Sequence, residues 1–154
     1  MSNIITVKDM CLWYGEHQAL TSINIDINEK NITAFIGPSG CGKSTFLKTL
    51  NRMNDLIQGV RITGDIRYKG MDIFSKNVDV NSLRKEVGMV FQNFNLFENM
   101  NVLKNCTIGQ EKVLKVSKEE AEKKAKFYLE KVGMLPYINA KPKQLSGGQK
   151  QRVA

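Results

Sequence analysis

The chain has 154 residues, of which 42% are apolar and 25% are charged, a composition typical of one globular domain rather than of a disordered segment. No stretch approaches the roughly 20 apolar residues that a membrane-spanning helix needs. The N-terminus shows no basic region followed by an apolar run, so no secretion signal is predicted. The net charge is +8, and three cysteines without metal-ligand spacing indicate reduced thiols in a cytosolic protein.

The first predicted elements surround a glycine-rich loop. Residues 23–27 alternate between apolar and polar side chains, which predicts a strand with one buried face. Residues 32–36 form a nearly continuous apolar run, which predicts a strand buried on both faces, as in a parallel sheet. After the loop, apolar residues recur at helical spacing. These residues are Phe46, Leu47, Leu50 and Met53.

The middle of the chain combines short extended segments with glycines. Residues 60–62 and 65–68 lie among several glycines, which predicts an antiparallel hairpin region. Residues 82–86 are predicted to form a short helix. Residues 87–91 are a second candidate for a buried strand, which would end at Gln92.

Beyond Gln92 the pattern becomes helical, and residues 93–145 are predicted to form a mainly helical subdomain. Ser117 and Glu120 fit a capping box at the start of a helix, and Gly133 is a stop at its end. The predicted buried face of this helix comprises Ala121, Ala125, Tyr128, Leu129 and Val132.

Residues 37–45 read Gly-Pro-Ser-Gly-Cys-Gly-Lys-Ser-Thr, which is a complete phosphate-binding loop. The glycines let backbone N–H groups converge on phosphate oxygens, and the following helix presents its positive end to the same point. We expect Lys43 to reach the β- and γ-phosphates, the Ser44 hydroxyl to ligate Mg²⁺, and Thr45 to support the α-phosphate side. The predicted phosphate-contacting residues are Gly37, Pro38, Ser39, Gly40, Cys41, Gly42, Lys43, Ser44 and Thr45.

The positive charge is unevenly distributed along the chain. Residues 1–92 hold 11 basic and 9 acidic side chains, whereas residues 93–154 hold 12 and 6. Because the lysines of residues 118–124 alternate with glutamates, a solvated helix face is favoured over a nucleic-acid-binding groove. No nucleic-acid partner is therefore expected.

Four features in order resemble the nucleotide-binding subunit of ATP-binding-cassette (ABC) transporters. They are the phosphate loop, Tyr14 ahead of it, Gln92 after the hairpin region, and the signature sequence Leu-Ser-Gly-Gly-Gln at 145–149. The resemblance implies that Tyr14 stacks on the adenine of ATP. It also implies that Gln92 contacts Mg²⁺ and the attacking water, so Lys43 and Gln92 are the catalytic residues that the chain contains.

The signature sequence is similar to one that acts on a second copy of the subunit. The resemblance implies that Ser146, Gly147, Gly148 and Gln149 cap the γ-phosphate held by the phosphate loop of a partner, in a head-to-tail homodimer. It also implies transmembrane permease subunits as partners and a cytoplasmic location on the inner face of the cell membrane. The expected fold is α/β, a partial P-loop NTPase core with an antiparallel β region (1–92) and a helical subdomain (93–154).

The resemblance is divided between two kinds of importer. Residues 1–92 look like cassettes that import phosphate, and residues 93–154 look like cassettes that import polar amino acids. A chimera, a composite design and an unusual natural branch all fit this division, so the transported solute stays open.

The family's Walker B segment, an apolar run ending in Asp-Glu, does not occur in the 154 residues, and His17 is in the wrong place for the family's switch histidine. Since phosphoryl transfer depends on positioning water and neutralising charge, we expect little or no hydrolysis by this chain alone. We also expect uncovered apolar faces, because the strands that flank the loop in the family are missing. The leading interpretation is the N-terminal portion of an ABC importer subunit. The alternative is a non-hydrolytic nucleotide-binding fragment or chimera.

Overall fold

The computed structural model of the chain describes residues 2–91 and 93–154. Contacts between backbone positions divide the chain into two units, Met1–Met89 and Val90–Ala154. Each unit has a hydrophobic core of its own. No helix in the described residues is long and apolar enough to cross a membrane.

The first unit contains an antiparallel sheet. In the described residues its strands are β1 (Asn3–Tyr14), β2 (His17–Asn28), β3 (Val60–Tyr68) and β4 (Met71–Asp72). They lie in the order β2-β1-β3-β4, and each neighbouring pair is antiparallel. The long central strand β1 was missed in the sequence, although its β-branched and aromatic residues are typical of strands.

A bulge interrupts the middle of this sheet. The pairing between β1 and β3 shifts register between Lys8 and Cys11, where Asp9 adopts a φ of 47° and Gly64 a φ of 99°. Asn24 on β2 stabilises the bulge, because its Oδ1 accepts a hydrogen bond from the Asp9 backbone N–H at 2.9 Å. The bulge bends the sheet and lets Val7 and Met10, three residues apart, both point into the core.

Two helices pack against the sheet in the first unit. They are α1 (Lys43–Leu50), followed by a 3₁₀ turn at Met53–Leu56, and α2 (Val80–Glu86). The Asp79 carboxylate caps α2 by accepting from the Asn81 N–H. The Arg84 guanidinium on α2 donates to the carbonyls of Asn51 and Arg52 at 3.2 and 2.7 Å, which fixes α2 to the end of α1. The core shared by these elements comprises Val7, Met10, Leu12, Leu20, Phe46, Leu50, Ile66, Ile73 and Leu83.

Several predictions of secondary structure hold. The strand at 23–27 lies inside β2, the helix after the loop is α1, and the short helix at 82–86 is α2. The antiparallel region at 60–68 is confirmed. Its two segments, however, form one continuous strand through Gly64, and the tight turn lies at 69–70.

The two predicted buried strands were wrong. Residues 32–36 and 87–91 contain no strand, and Ile32, Ile36 and Val90 are 101%, 95% and 83% exposed. A strand buried on both faces needs hydrogen-bonding neighbours on both edges. No strand of the described residues pairs with either segment, so their apolar side chains face solvent. This exposure confirms the expectation of uncovered apolar faces.

The second unit is helical. Its helices in the described residues are α3 (Val102–Lys112), α4 (Lys118–Lys131) and α5 (Gly147–Val153), with 3₁₀ turns at Leu135–Tyr137 and Pro142–Gln144. Of the two bonds of the predicted capping box, the structure shows one, in which the Ser117 hydroxyl accepts from the Glu120 N–H at 3.3 Å. Gly133 follows α4 with a φ of 68°, as expected of a stop residue. The core of this unit comprises Val102, Leu129, Met134 and Leu145.

Helix α4 buries a narrower face than its sequence predicts. Ala121, Ala125 and Leu129 are buried, but Tyr128 is 55% and Val132 is 40% exposed. The lysines between 118 and 124 are exposed, as a solvated helix face requires, and the choice of this face over a nucleic-acid-binding groove stays a prediction.

Candidate phosphate-binding site

The loop before α1 is shaped by glycines in the left-handed region. Gly40 and Gly42 have φ values of 82° and 92°, which other residues rarely adopt. Gly42 is the N-cap of α1 and contributes no side-chain cap to the first-turn N–H groups. A helix start without a side-chain cap is suited to bind an anion through its backbone N–H groups.

Gly42 also lies close to β2. A Cβ atom at this position would lie 2.5 Å from Leu20 Cδ2 and 3.4 Å from the Ala19 carbonyl oxygen. The loop therefore rests directly on β2, because glycine leaves room for the close approach.

The Lys43 ammonium is held by the loop itself. Its Nζ donates to the carbonyl oxygens of Gly37 and Pro38 at 2.8 and 2.7 Å, and to Cys41 Sγ at 3.3 Å. The charge is thus concentrated within the loop, beside the start of α1. Cys41 is exposed, so its thiol also borders this site.

Tyr14 lies against the same helix start. Its hydroxyl is 3.4 Å from Thr45 Oγ1 and 3.5 Å from Asn54 Oδ1. The structure therefore brings together the aromatic residue at the end of β1 and the last residue of the loop. Asn54, which no motif predicted, is fully buried behind α1. Asn54 lies between Met53 and Asp55, and no local pattern in the sequence distinguishes it.

The chemistry of the loop fits Mg²⁺. This ion is commonly held through one or two protein oxygens together with phosphate oxygens and water. The exposed Ser44, in the first turn of α1, supplies a hydroxyl of this type next to Lys43. The second predicted ligand, Gln92, lies outside the described residues.

A groove of about 510 Å³ opens beside the loop, between β2 and α1. Lys43 and Cys41 line its polar end, and Ile25 and Ile36 line its apolar side. Phe35 also lines it and packs edge-on against Phe46 of α1, with ring centroids 5.2 Å apart. The segment before the loop therefore contacts the core of the first unit through Phe35, and no strand of the described residues pairs with it.

The signature sequence forms the start of α5 in the second unit. Ser146 is the N-cap, its hydroxyl accepts from the Gln149 N–H at 3.3 Å, and the Gln149 Oε1 accepts from the Ser146 N–H at 2.8 Å. Leu145 anchors the turn in the core. A Cβ atom at Gly147 or Gly148 would meet nothing within 4 Å, so the fold of this unit does not require glycine at either position.

The combination of this fold and these two motifs agrees with comparisons with known proteins. The sequence model described as "ABC transporter" matches residues 20–154. The chain belongs to the ABC transporter family. Its fold is the α/β fold of ABC ATPase cassettes, with a partial core.

Relatives in this family include importer subunits of two kinds. The chain is 45% identical to the phosphate import ATP-binding protein PstB 2 of Lactiplantibacillus plantarum, over 99% of this chain and 62% of that protein. It is 43% identical to the glutamine transport ATP-binding protein GlnQ of Geobacillus stearothermophilus, over 92% and 57%. It is 42% identical to the glutamate/aspartate import ATP-binding protein GltL of Escherichia coli K12, over 98% and 61%. The chain thus spans about three fifths of the length of these ABC proteins.

Solved ABC structures resemble the chain along most of its length. The dimeric ATP-binding cassette MJ0796, in a post-hydrolysis state bound to ADP and Pi, is 31% identical with a TM-score of 0.75, over 97% of this chain and 66% of that chain. The cbiO1 protein of Clostridium perfringens, part of the ABC transporter complex cbiONQ, is 27% identical with a TM-score of 0.77, over 99% and 59%.

Proposed function

We propose that the chain binds Mg-ATP as the ATP-binding part of an ABC importer subunit. The observation that carries the proposal is the phosphate loop, in which left-handed Gly42 is the N-cap of α1 and the Lys43 ammonium lies 2.7–2.8 Å from two carbonyl oxygens of the loop. Support comes from the similar MJ0796 cassette, which was solved with ADP and Pi.

The proposed roles follow from the position of each residue. Lys43 exchanges its bonds to the loop carbonyls for bonds to the β- and γ-phosphates, while Ser44 ligates Mg²⁺. Tyr14 stacks on adenine, and its contact with Thr45 supports this role because it places the ring beside the loop. Gln92, for which we propose contacts with Mg²⁺ and the attacking water, keeps the role that the resemblance implies.

We further propose that the signature turn serves a second copy of the chain. Ser146, Gly147, Gly148 and Gln149 would approach the γ-phosphate on the partner's loop, in a head-to-tail homodimer. The open space around both glycines supports this proposal, because glycine there gives no packing advantage within the unit but allows another molecule to approach the backbone.

The wider assignment is to a transporter on the inner face of the cell membrane. The dimer would drive permease subunits that import a small solute, either phosphate or a polar amino acid. The two kinds of relative, at 42–45% identity, support both solutes equally. The proposed division of labour is that residues 1–92 bind nucleotide and residues 93–154 present the signature turn.

The first test measures binding of Mg-ATP to the purified chain by isothermal titration calorimetry. Lys43→Ala removes the loop cation, and we expect it to weaken binding by at least about tenfold, because hydrogen bonds to charged groups contribute about 1.5–3 kcal/mol each. Lys76→Ala removes the same charge from an exposed turn and is the matched control. Phosphate release in the same samples separates binding from hydrolysis. A folded chain that binds no ATP would refute the proposal.

The second test concerns the signature turn. Gly148→Ala adds a methyl group in open space within the first turn of α5, so the unit should keep its stability or gain up to about 1 kcal/mol. We expect ATP-dependent dimerisation, measured by sedimentation velocity, to be lost, because the methyl group blocks the approach of the partner's nucleotide. Unchanged dimerisation would contradict the role of this turn.

A further inference from the structure

We propose that Asn54 is a positioning residue that holds the Tyr14 side chain against the first turn of α1 and so couples the adenine-stacking ring to the phosphate loop. This inference rests on the proposed function, in which Tyr14 stacks on the base. It assigns a role in nucleotide recognition to a side chain that does not itself touch the nucleotide.

The contacts of Asn54 fix the orientation of its amide. The side chain is fully buried. Its Nδ2 group donates to the Thr45 carbonyl oxygen at 2.9 Å and to Thr49 Oγ1 at 2.8 Å. Because a carbonyl oxygen can only accept, and because the Thr49 hydroxyl gives its own proton to the same carbonyl at 2.9 Å, both neighbours require the amide nitrogen on this side.

The remaining acceptor of Asn54 is therefore directed at Tyr14. With both amide protons engaged by α1, the Oδ1 atom lies 3.5 Å from the Tyr14 hydroxyl, which is also 3.4 Å from Thr45 Oγ1. These two distances exceed the usual 2.7–2.8 Å of a hydroxyl hydrogen bond. The hydroxyl is thus shared between two acceptors, and the tether is modest in strength.

The contact of Asn54 with Tyr14 is distinct from the contacts that support the phosphate loop. Within α1, the Thr45 carbonyl keeps the bond from Thr49 when Asn54 is replaced, so the first turn and Lys43 stay in place. The Tyr14 ring, in contrast, loses an acceptor that fixes its hydroxyl. Replacement of Asn54 should therefore affect the base-dependent part of nucleotide affinity more than the phosphate-dependent part.

The test compares Mg-ATP with magnesium tripolyphosphate, which has the phosphates but no base. Affinities are measured by calorimetry for the unaltered chain, Asn54→Leu, Tyr14→Phe and the double variant. Tyr14→Phe keeps the ring and removes only the hydroxyl. Because both distances are long, we expect each single variant to weaken ATP binding about twofold to threefold, the low end of the range for one hydrogen bond, and to leave tripolyphosphate binding unchanged within error.

The double variant and a control complete the design. Because both substitutions break the same contact, the ATP affinity of the double variant should be no lower than that of the single variant with the lower affinity. Thr107→Val removes a buried hydroxyl in the second unit and should leave the ratio of the two affinities unchanged.

Three results would overturn the inference. The first is an equal loss of affinity for ATP and for tripolyphosphate in Asn54→Leu. The second is additive losses of ATP affinity in the double variant. The third is a ratio of ATP affinity to tripolyphosphate affinity that does not change in Tyr14→Phe, a result that would overturn the inference even if Asn54→Leu does not fold. An unaltered chain that binds neither ligand would refute the proposed function itself. Binding of both ligands with an invariant ratio would refute only the role of Asn54.

Discussion

Gly64 occupies a position in β3 that combines left-handed backbone with close packing. Its φ is 99°, and a Cβ atom there would lie 2.6–2.7 Å from the carbonyl oxygens of Asp9 and Lys8 and from Met10 Cα. Left-handed backbone costs about 1–2 kcal/mol for other residues, and overpacking adds about 1–3 kcal/mol. We therefore expect Gly64→Ala to lower the free energy of unfolding by roughly 2–5 kcal/mol, measured by urea denaturation with Trp13 fluorescence.

Gly70 offers a matched control for this substitution. It has a similar φ of 79° in the turn between β3 and β4, but a Cβ atom there would meet nothing within 4 Å. Gly70→Ala should cost only the conformational term of about 1–2 kcal/mol. Equal costs at the two glycines would show that the bulge of β1 relaxes around the added methyl group.

Individual site residues differ in how far the sequence reveals them. The phosphate loop is recognisable from its spacing, and the structure places Gly42 and Lys43 at the start of α1, as the predicted helix after the loop requires. The contacts of these residues with phosphate stay a prediction. Asn54 was not predictable. Its importance comes from a contact with Tyr14, 40 residues away in the sequence, and no local pattern encodes such a contact.

Helix α2 depends on a capping carboxylate that titrates. The Asp79 carboxylate accepts from the Ser82 hydroxyl at 2.6 Å and from the Asn81 N–H at 3.1 Å, and these bonds lower its pKa below the ordinary value. Because the pKa is lower in the folded state, the carboxylate contributes stability above its unfolded pKa of about 3.9. That contribution is lost as the pH falls through the folded pKa.

Asp79→Asn tests this contribution. Asparagine is an equally good N-cap, so the stability near neutral pH should change little. Since the amide does not titrate, the loss of stability below about pH 4 should become shallower in urea unfolding followed by Trp13 fluorescence. Glu86 at the other end of α2, whose pKa is lowered by Lys69 and then by Tyr68, should retain its share of the acid dependence. An acid limb identical to that of the unaltered chain would contradict the role of Asp79.

At the level of elements, periodicity identified several that find partners within the chain, although it missed the central strand β1. Strand β2 was predictable because its 23–27 segment alternates in the sequence and pairs with β1. The apolar run at 32–36 has equally strong strand character, but a strand forms only when its backbone groups are paired, and the described residues offer it no neighbour. The sequence pattern of a segment indicates its preference for the extended conformation, whereas its pairing into a sheet depends on the neighbouring strands.

Taken as a whole, the molecule exposes apolar side chains that its own elements do not cover. Ile32 and Ile36 are almost completely exposed, and Val90 is 83% exposed. Scattered apolar residues are normal on protein surfaces, but here two lie four residues apart in a segment without secondary structure. Such a segment has unpaired backbone groups and can associate with other chains.

We expect the double substitution Ile32→Thr and Ile36→Thr to reduce binding of the dye ANS and self-association at rising concentration, measured by fluorescence and sedimentation velocity. The free energy of unfolding should change by less than about 0.5 kcal/mol, because exposed side chains lose no buried contacts. Ile66→Thr is the matched control, since the same change at a fully buried position creates a cavity and buries a hydroxyl. It should cost at least about 2 kcal/mol. If the double substitution destabilised the chain as much as Ile66→Thr, the segment before the phosphate loop would have to be packed in solution.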